Sequence, residues 1–245
     1  MNVLAVYDIH GNIDALEAVL ADPRAAAPDA LVVGGDTVPG PFARAALDRL
    51  EHLDVPLHWI RGNGERETAA QAAPGAPVPA PDDDALITAA MTAENLGAAR
   101  AMALGELPLT LTLDGVLYCH ATPRSDEEIV TRASSAERYA EVLGDAAAAL
   151  VVAGHTHQQD DRRVGDVRFI NAGSVGLPYE GDGAARWLWV ADGRPDLRAT
   201  EYDAAAAGIR MLAAGWPDED SVRAALIDPV DPLIVTELFE SRARD

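Results

Sequence analysis

The chain has 245 residues, 49% of them hydrophobic, enough for one large domain or a domain with appendages and too many for disorder. Its 40 acidic residues against 19 basic ones, all Arg, give a net charge of -21, which excludes a protein that tracks nucleic-acid phosphates or docks on anionic lipid. A single cysteine, Cys119, excludes a disulfide framework. No apolar run approaches the ~20 residues that span a bilayer, and the N-terminal segment lacks the basic region of a signal peptide, so a cytoplasmic location is expected.

In chain order, residues 3–7 form an apolar run that reads as a buried strand. Ile13, Leu16, Val19 and Leu20 then recur at helical spacing behind Asn12, a candidate N-cap. A second buried strand is expected at 30–33, a helix at 41–53 and a third strand at 57–60. This alternation predicts parallel strands with helices on the faces. Residues 72–82 carry four prolines and no periodicity, so they read as a loop, followed by one helical stretch over 83–105. Asp82, Asp83 and Asp84 are expected to cap that stretch. Asp114-Gly115 marks a hairpin between strands at 109–113 and 116–118, and Gly165-Asp166 marks a second. A helix over 135–144, a buried strand at 150–153, and strands at 187–190 and 197–202 follow. The tail from 203 onward reads as helical, with a break at Gly215-Trp216-Pro217.

The residues with chemistry to offer lie where strands end. Asp8-Ile9-His10-Gly11-Asn12 follows the first strand, Gly35-Asp36 the second and Gly62-Asn63-Gly64-Glu65 the third. His120 ends the hairpin strand, and Gly154-His155-Thr156-His157 follows the later buried strand. Side chains leaving one edge of a sheet converge, and these segments hold four of the six histidines. His52 and His58 have no partner motif and read as surface or packing residues. Asp8, His10, Asp36, Asn63, His120, His155 and His157 are too many ligands for one tetrahedral zinc. Carboxylate, amide and imidazole donors in this number suit two divalent metals, with Mn first and Fe, Zn, Ni or Mg as alternatives.

The ordered blocks DIH at 8–10, GD at 35–36, GNGE at 62–65, His120 and GHTH at 154–157 resemble the calcineurin-like metallophosphoesterase superfamily, in its small bacterial branch. NAGSVGLP at 171–178 is similar to a further block of that branch. The resemblance covers roughly residues 1–200. It implies an α/β fold, a four-layer α/β/β/α sandwich of two mixed sheets. On this reading residues 1–202 are the phosphoesterase domain, 66–105 a Pro-rich loop plus helical flap inserted in it, and 203–245 a helical appendage. It also implies one metal on Asp8, His10, Asp36 and His157, and a second on Asp36, Asn63, His120 and His155, with Asp36 bridging. Asp36 and Asn63 would then be catalytic as well as ligating, and a hydroxide held between the metals would attack phosphorus.

The activity implied is hydrolysis of a small-molecule phosphodiester or phosphomonoester, a nucleotide among the candidates. A protein Ser/Thr phosphatase, a nuclease and a non-catalytic scaffold such as the retromer subunit of the same superfamily stand as alternatives. GDTVPGP at 35–41 lacks the GDxxDRG block of the protein phosphatases. No stable nucleic-acid or membrane partner is expected, and a homo-oligomer is allowed. Asn12, Arg66 and Arg124 are candidate substrate contacts, the arginines because a guanidinium fork matches phosphate geometry. Asn171 and Ser174 read as supports of the ligand loop. Gly64 stands where the wider family has a histidine, so slower turnover of esters with poor leaving groups is expected.

Overall fold

Alternation along β1 (Asn2–Val6) divides its side chains between two cores: Val3 and Ala5 face one, Leu4 and Val6 the other. The computed structural model describes residues 1–144, 146 and 148–243. β1 pairs in parallel with β2 (Ala30–Val33), and β2 with β3 (Leu57–Trp59). The crossovers run through helices α1 (Ile13–Ala21) and α2 (Ala43–Glu51). An antiparallel hairpin of β9 (Ala185–Ala191) and β10 (Arg194–Thr200) extends the sheet to the order β10-β9-β1-β2-β3.

The second sheet comprises β4 (Thr110–Leu113), β5 (Val116–Cys119), β6 (Leu150–Ala153), β7 (Gln159–Val164) and β8 (Val167–Ala172), in the order β4-β5-β6-β8-β7. Its three inner strands are parallel and its edges antiparallel. Tyr7, Val32, Tyr118, Val152, Ile170 and Leu188 fill the space between the sheets. Leu16, Val19, Ala46 and Leu50 of α1 and α2 close the outer face of the first sheet against Trp187. Tyr139, Val142 and Leu143 of α6 (Ala136–Leu143) close the outer face of the second against Phe169. The result is the expected α/β/β/α sandwich. No helix among the described residues is long and apolar enough to cross a membrane.

Two helical expectations are corrected. The stretch over 83–105 is two helices, α4 (Asp84–Leu96) and α5 (Ala98–Gly105), because Gly97 at φ 84° cannot continue the first. A helix missed in the sequence, α3 (Asn63–Ala72), starts inside the GNGE segment, with the Glu65 carboxylate accepting from the Gly62 N–H at 2.8 Å. Asp83 caps α4 as expected, accepting from Leu86 N at 3.0 Å. Leu96 and Leu104 pack with Leu47 of α2, so this inserted region rests against the first sheet's helical layer.

The tail folds into α7 (Ala204–Ala213), the short α8 (Glu219–Val222) and α9 (Pro232–Arg242), and its last two residues, 244 and 245, lie outside the described residues. Met211, Trp216, Val222 and Leu226 share a core with Leu177, which follows the second sheet. The tail is thereby packed against the edge of the sandwich where the parallel strands end.

Candidate metal centre

All seven expected ligands come to that edge. Five of them, Asp8, His10, Asp36, His155 and His157, have left-handed backbone, with φ of 52°, 46°, 50°, 71° and 59°. Each such residue costs about 1–3 kcal/mol, and the cost is tolerated only where surrounding contacts enforce it. Those contacts are visible. His10 N donates to Asp36 O at 2.9 Å and Asp8 N to Gly35 O at 3.1 Å, tying the loops after β1 and β2 together. The buried Glu65 carboxylate accepts from Asp36 N, Thr37 N and Gly62 N at 2.8, 2.9 and 2.8 Å, adding the loop after β3.

Asn171 and Ser174 have the supporting role expected of them. Asn171 Nδ2 donates to Gly154 O at 2.6 Å, and Ser174 Oγ donates to Asp8 O at 2.7 Å. Glycine is needed at 154 because a Cβ there would lie 2.4 Å from Asp8 Oδ2.

The donor atoms fall into two groups, Asp8 with His10 and His157, and Asp36 with His120 and His155, each within 4.8 Å. Every imidazole has one nitrogen against a backbone carbonyl. His10 Nδ1 lies 3.3 Å from Pro39 O, His120 Nδ1 3.1 Å from Gly34 O, His155 Nε2 3.2 Å from Glu127 O and His157 Nδ1 2.8 Å from Leu177 O. A carbonyl only accepts, so that nitrogen carries the hydrogen and the other presents a lone pair to the site. His10 Nε2 and His157 Nε2 both turn into the site, 3.2 Å apart.

Asp36 Oδ2 lies 3.7 Å from His10 Nε2 and 3.5 Å from His120 Nε2, between the two groups. Its Oδ1 accepts from Gly64 N at 2.8 Å. Asp8 Oδ1, Asn63 Oδ1 and His120 Nε2 are buried without a hydrogen-bond partner. Buried polar atoms are otherwise almost always satisfied. Convergent imidazole nitrogens, a carboxylate set between the two groups and three orphaned acceptors fit divalent cations.

The electrostatics agree. Burial, with His157 beside it, pushes His10 down to about 3, and burial, with His120 beside it, does the same to His155, so both rings are neutral as ligands must be. Burial, then the Glu65 and Asp8 carboxylates, holds Asp36 well above the usual carboxylate range. At Asp36 the ionised carboxylate is penalised, and a bound cation would relieve that penalty.

Above these ligands lies a cavity of ≈ 270 Å³. His10, Asp36, Asn63, His155 and His157 form its floor, with Asp8 and His120 fully buried beneath. A model of the calcineurin-like phosphoesterase superfamily domain matches residues 1–190. The chain belongs to that superfamily. Among solved structures, a metallophosphoesterase from Sphaerobacter thermophilus is 26% identical with a TM-score of 0.74, covering 94% of this chain and 100% of its own. A hypothetical protein from Pyrococcus horikoshii OT3 shares the fold at 20% identity and a TM-score of 0.75, covering 92% of this chain and 97% of its own. No curated protein matches the chain.

Within this calcineurin-like frame, the three expected substrate contacts have other partners. Asn12 is buried and saturated: its Oδ1 accepts from Ala15 N at 3.1 Å, and its Nδ2 donates to Gly176 O and Tyr202 Oη at 2.8 and 3.0 Å. Arg66 is held by Asp126 at 3.1 Å and Glu127 at 2.6 Å, and Arg124 by Glu128 at 2.6 Å and Glu141 at 2.9 Å. Neither guanidinium lines the cavity. Arg66 instead fixes the 126–127 segment, whose Glu127 carbonyl orients His155.

Sequence reasoning missed the cavity walls. Ala85 and Thr88 of α4 contribute one wall, as a flap would, and Tyr179, Trp216, Ser221 and Arg242 contribute another. The Tyr179 ring stacks on His157, with centroids 5.2 Å apart and planes at 14°. Only Tyr179 had a sequence signal, its place directly after the 171–178 block.

Proposed function

We propose that this calcineurin-like protein is a divalent-metal-dependent phosphoesterase that hydrolyses a small phosphodiester or phosphomonoester at a two-metal centre. The observation that carries the reading is the convergence of two donor groups, Asp8 with His10 and His157 and Asp36 with His120 and His155, each within 4.8 Å, beside Asp8 Oδ1, Asn63 Oδ1 and His120 Nε2 buried without a hydrogen-bond partner.

On this reading Asp8, His10, Asp36 and His157 hold one cation, and Asp36, Asn63, His120 and His155 the other. Such cations supply Lewis acidity toward phosphoryl oxygens and lower the pKa of water. The chain's own part is positional. Backbone carbonyls hold the imidazoles in the ligating tautomer, Gly64 N holds one oxygen of Asp36, and Glu65 locks the three loops. No imidazole stands at position 64 to protonate a leaving group, so turnover depends steeply on leaving-group acidity.

The cavity supports a small substrate. It adjoins a second cavity of ≈ 490 Å³, lined by Asp84, Asp218 and Asp220. Acidic walls disfavour a long polyanion while a single phosphate is held at close range. The complete donor set favours an enzyme over a scaffold.

Metal analysis of the purified protein, paired with hydrolysis of bis-p-nitrophenyl and p-nitrophenyl phosphate in Mn²⁺, tests this. Bound transition metal and Mn²⁺-dependent turnover are expected. Absence of both would sink the proposal.

A further inference from the structure

Arg242, the last residue of α9, reaches the cavity above the metal ligands from a helix that no local pattern places there. Three contacts put it there. Gln158, buried next to His157, donates from Nε2 to Tyr179 O at 2.9 Å and Pro232 O at 2.8 Å, while its Oε1 accepts from Thr236 Oγ1 at 2.7 Å. Both turns of α9 nearest its start are thereby anchored to the chain that carries a metal ligand. Glu240 accepts from Thr131 Oγ1 at 2.6 Å and from Ser134 Oγ, fixing the far end of the helix. Phe239, one turn before Arg242, packs on Tyr179 at 6.4 Å between centroids, and Tyr179 stacks on His157. The geometry therefore runs without a gap from the ligand loop to the residue beside Arg242.

The charge environment singles this residue out. Arg66 and Arg124 are occupied by carboxylates, and among the described residues Arg242 is the one guanidinium lining the cavity. Among the described residues Arg242 has no ion pair, although Asp218 lines the same cavity. Asp218 is engaged in capping α8, accepting from Ser221 N at 3.1 Å.

We infer that Arg242 binds a phosphate oxygen of the substrate, so that the C-terminal helix supplies the cationic clamp of the site. This rests on the phosphoesterase reading above and names the residue that selects for the substrate's phosphate. A guanidinium fork bonds two oxygens at once, which an ammonium cannot reproduce. The oxygens belong either to the phosphoryl group being transferred or to a second phosphate farther along the substrate.

Steady-state kinetics of the Mn²⁺-loaded full chain and its Arg242→Ala and Arg242→Lys variants test the assignment with two probes, p-nitrophenyl phosphate and a nucleoside diphosphate. Arg242→Ala is expected to raise KM about 10- to 100-fold, the loss of a charge-assisted bond, with kcat within about threefold of the parent. Arg242→Lys should recover part of this. A rise with both probes places Arg242 on the reacting phosphoryl group, and a rise with the diphosphate alone places it on the distal phosphate. Calorimetry with inorganic phosphate provides a readout apart from turnover, with affinity falling about tenfold if the reacting group is the one held. A parent inactive on both probes would overturn the phosphoesterase reading and this assignment with it. An active parent whose Arg242→Ala variant keeps both KM values would overturn the assignment of Arg242 alone.

Discussion

His10 and His157 face each other Nε2 to Nε2 at 3.2 Å, with Nδ1 of each ring against a backbone carbonyl, Pro39 O at 3.3 Å and Leu177 O at 2.8 Å. On the proposed reading these two rings, 147 residues apart in the chain, would share one cation. Adding Mn²⁺ to the metal-stripped protein should raise its unfolding free energy, by about 2.7 kcal/mol at a hundredfold excess over Kd for one site. His157→Ala should remove most of that gain while leaving metal-free stability within about 2 kcal/mol. Thermal unfolding across a Mn²⁺ titration checks both statements.

Asp36 Oδ2 lies between the two ligand groups, and Asp36→Ala removes an oxygen that both would use. Activity is expected to fall at least 10³-fold and bound metal to drop in elemental analysis. Full activity in that variant would show the ligand assignment to be wrong.

Acid should weaken the metal-free fold through His10 and His155, held near 3 against an ordinary value of 6.5. Below pH 6.5 the unfolded chain takes up protons that the folded chain refuses, so this contribution is complete above 6.5 and declines as pH falls toward 3. Asp36 acts in the opposite sense. Its raised value favours the folded chain at low pH, and that contribution is lost as pH rises through the folded value. Urea unfolding between pH 4 and 7.5 should show a net loss on the acid side, less steep in a His10→Ala variant.

Position 64 cannot accept the histidine that stands there in much of the superfamily. A Cβ on Gly64 would lie 2.0 Å from Val38 O and 2.7 Å from Pro39 Cδ. Gly64→Ala should therefore cost at least about 1–3 kcal/mol, and Gly64→His more, without restoring turnover of alkyl phosphates. Urea midpoints and a leaving-group series on the two variants measure this. A stable Gly64→His enzyme with a flattened leaving-group dependence would contradict it.

Gln158, next to His157, is joined to α9 by two hydrogen bonds, to Pro232 O and from Thr236 Oγ1, and to Tyr179 O by a third. Gln158→Ala leaves the Tyr179 carbonyl short of a donor, while Thr236 Oγ1 and Pro232 O keep each other at 3.0 Å, at a cost of about 1–3 kcal/mol. Its KM should rise with that of Arg242→Ala, since α9 carries the arginine. Equal KM in the Gln158 variant and the parent would separate the helix from substrate binding.

The ligand set was legible in the sequence because each member sits within a few residues of a buried strand's end, and parallel strands deliver such positions to one edge. Asp8, Asp36, Asn63, His120, His155 and His157 needed only strand order to be brought together. The family membership follows from the same short blocks. Asn12 was half legible: its capping role is local, three residues from Ala15, whereas the burial that uses up its amide comes from Gly176 and Tyr202.

The walls were not legible, because α9 reaches the site through contacts such as Gln158 with Thr236, 78 residues apart, that no local pattern encodes. The acidic composition opened as a reason to exclude polyanion binders, and the tertiary structure gave it a place. Carboxylates neutralise Arg66 and Arg124, while Arg242 faces the cavity with no ion pair among the described residues. Which arginine meets a phosphate depends on which carboxylates lie within a few ångströms of each. Arg124 finds Glu128 four residues on, but Arg66 meets Asp126 and Glu127 only through the packing of segments 60 residues apart.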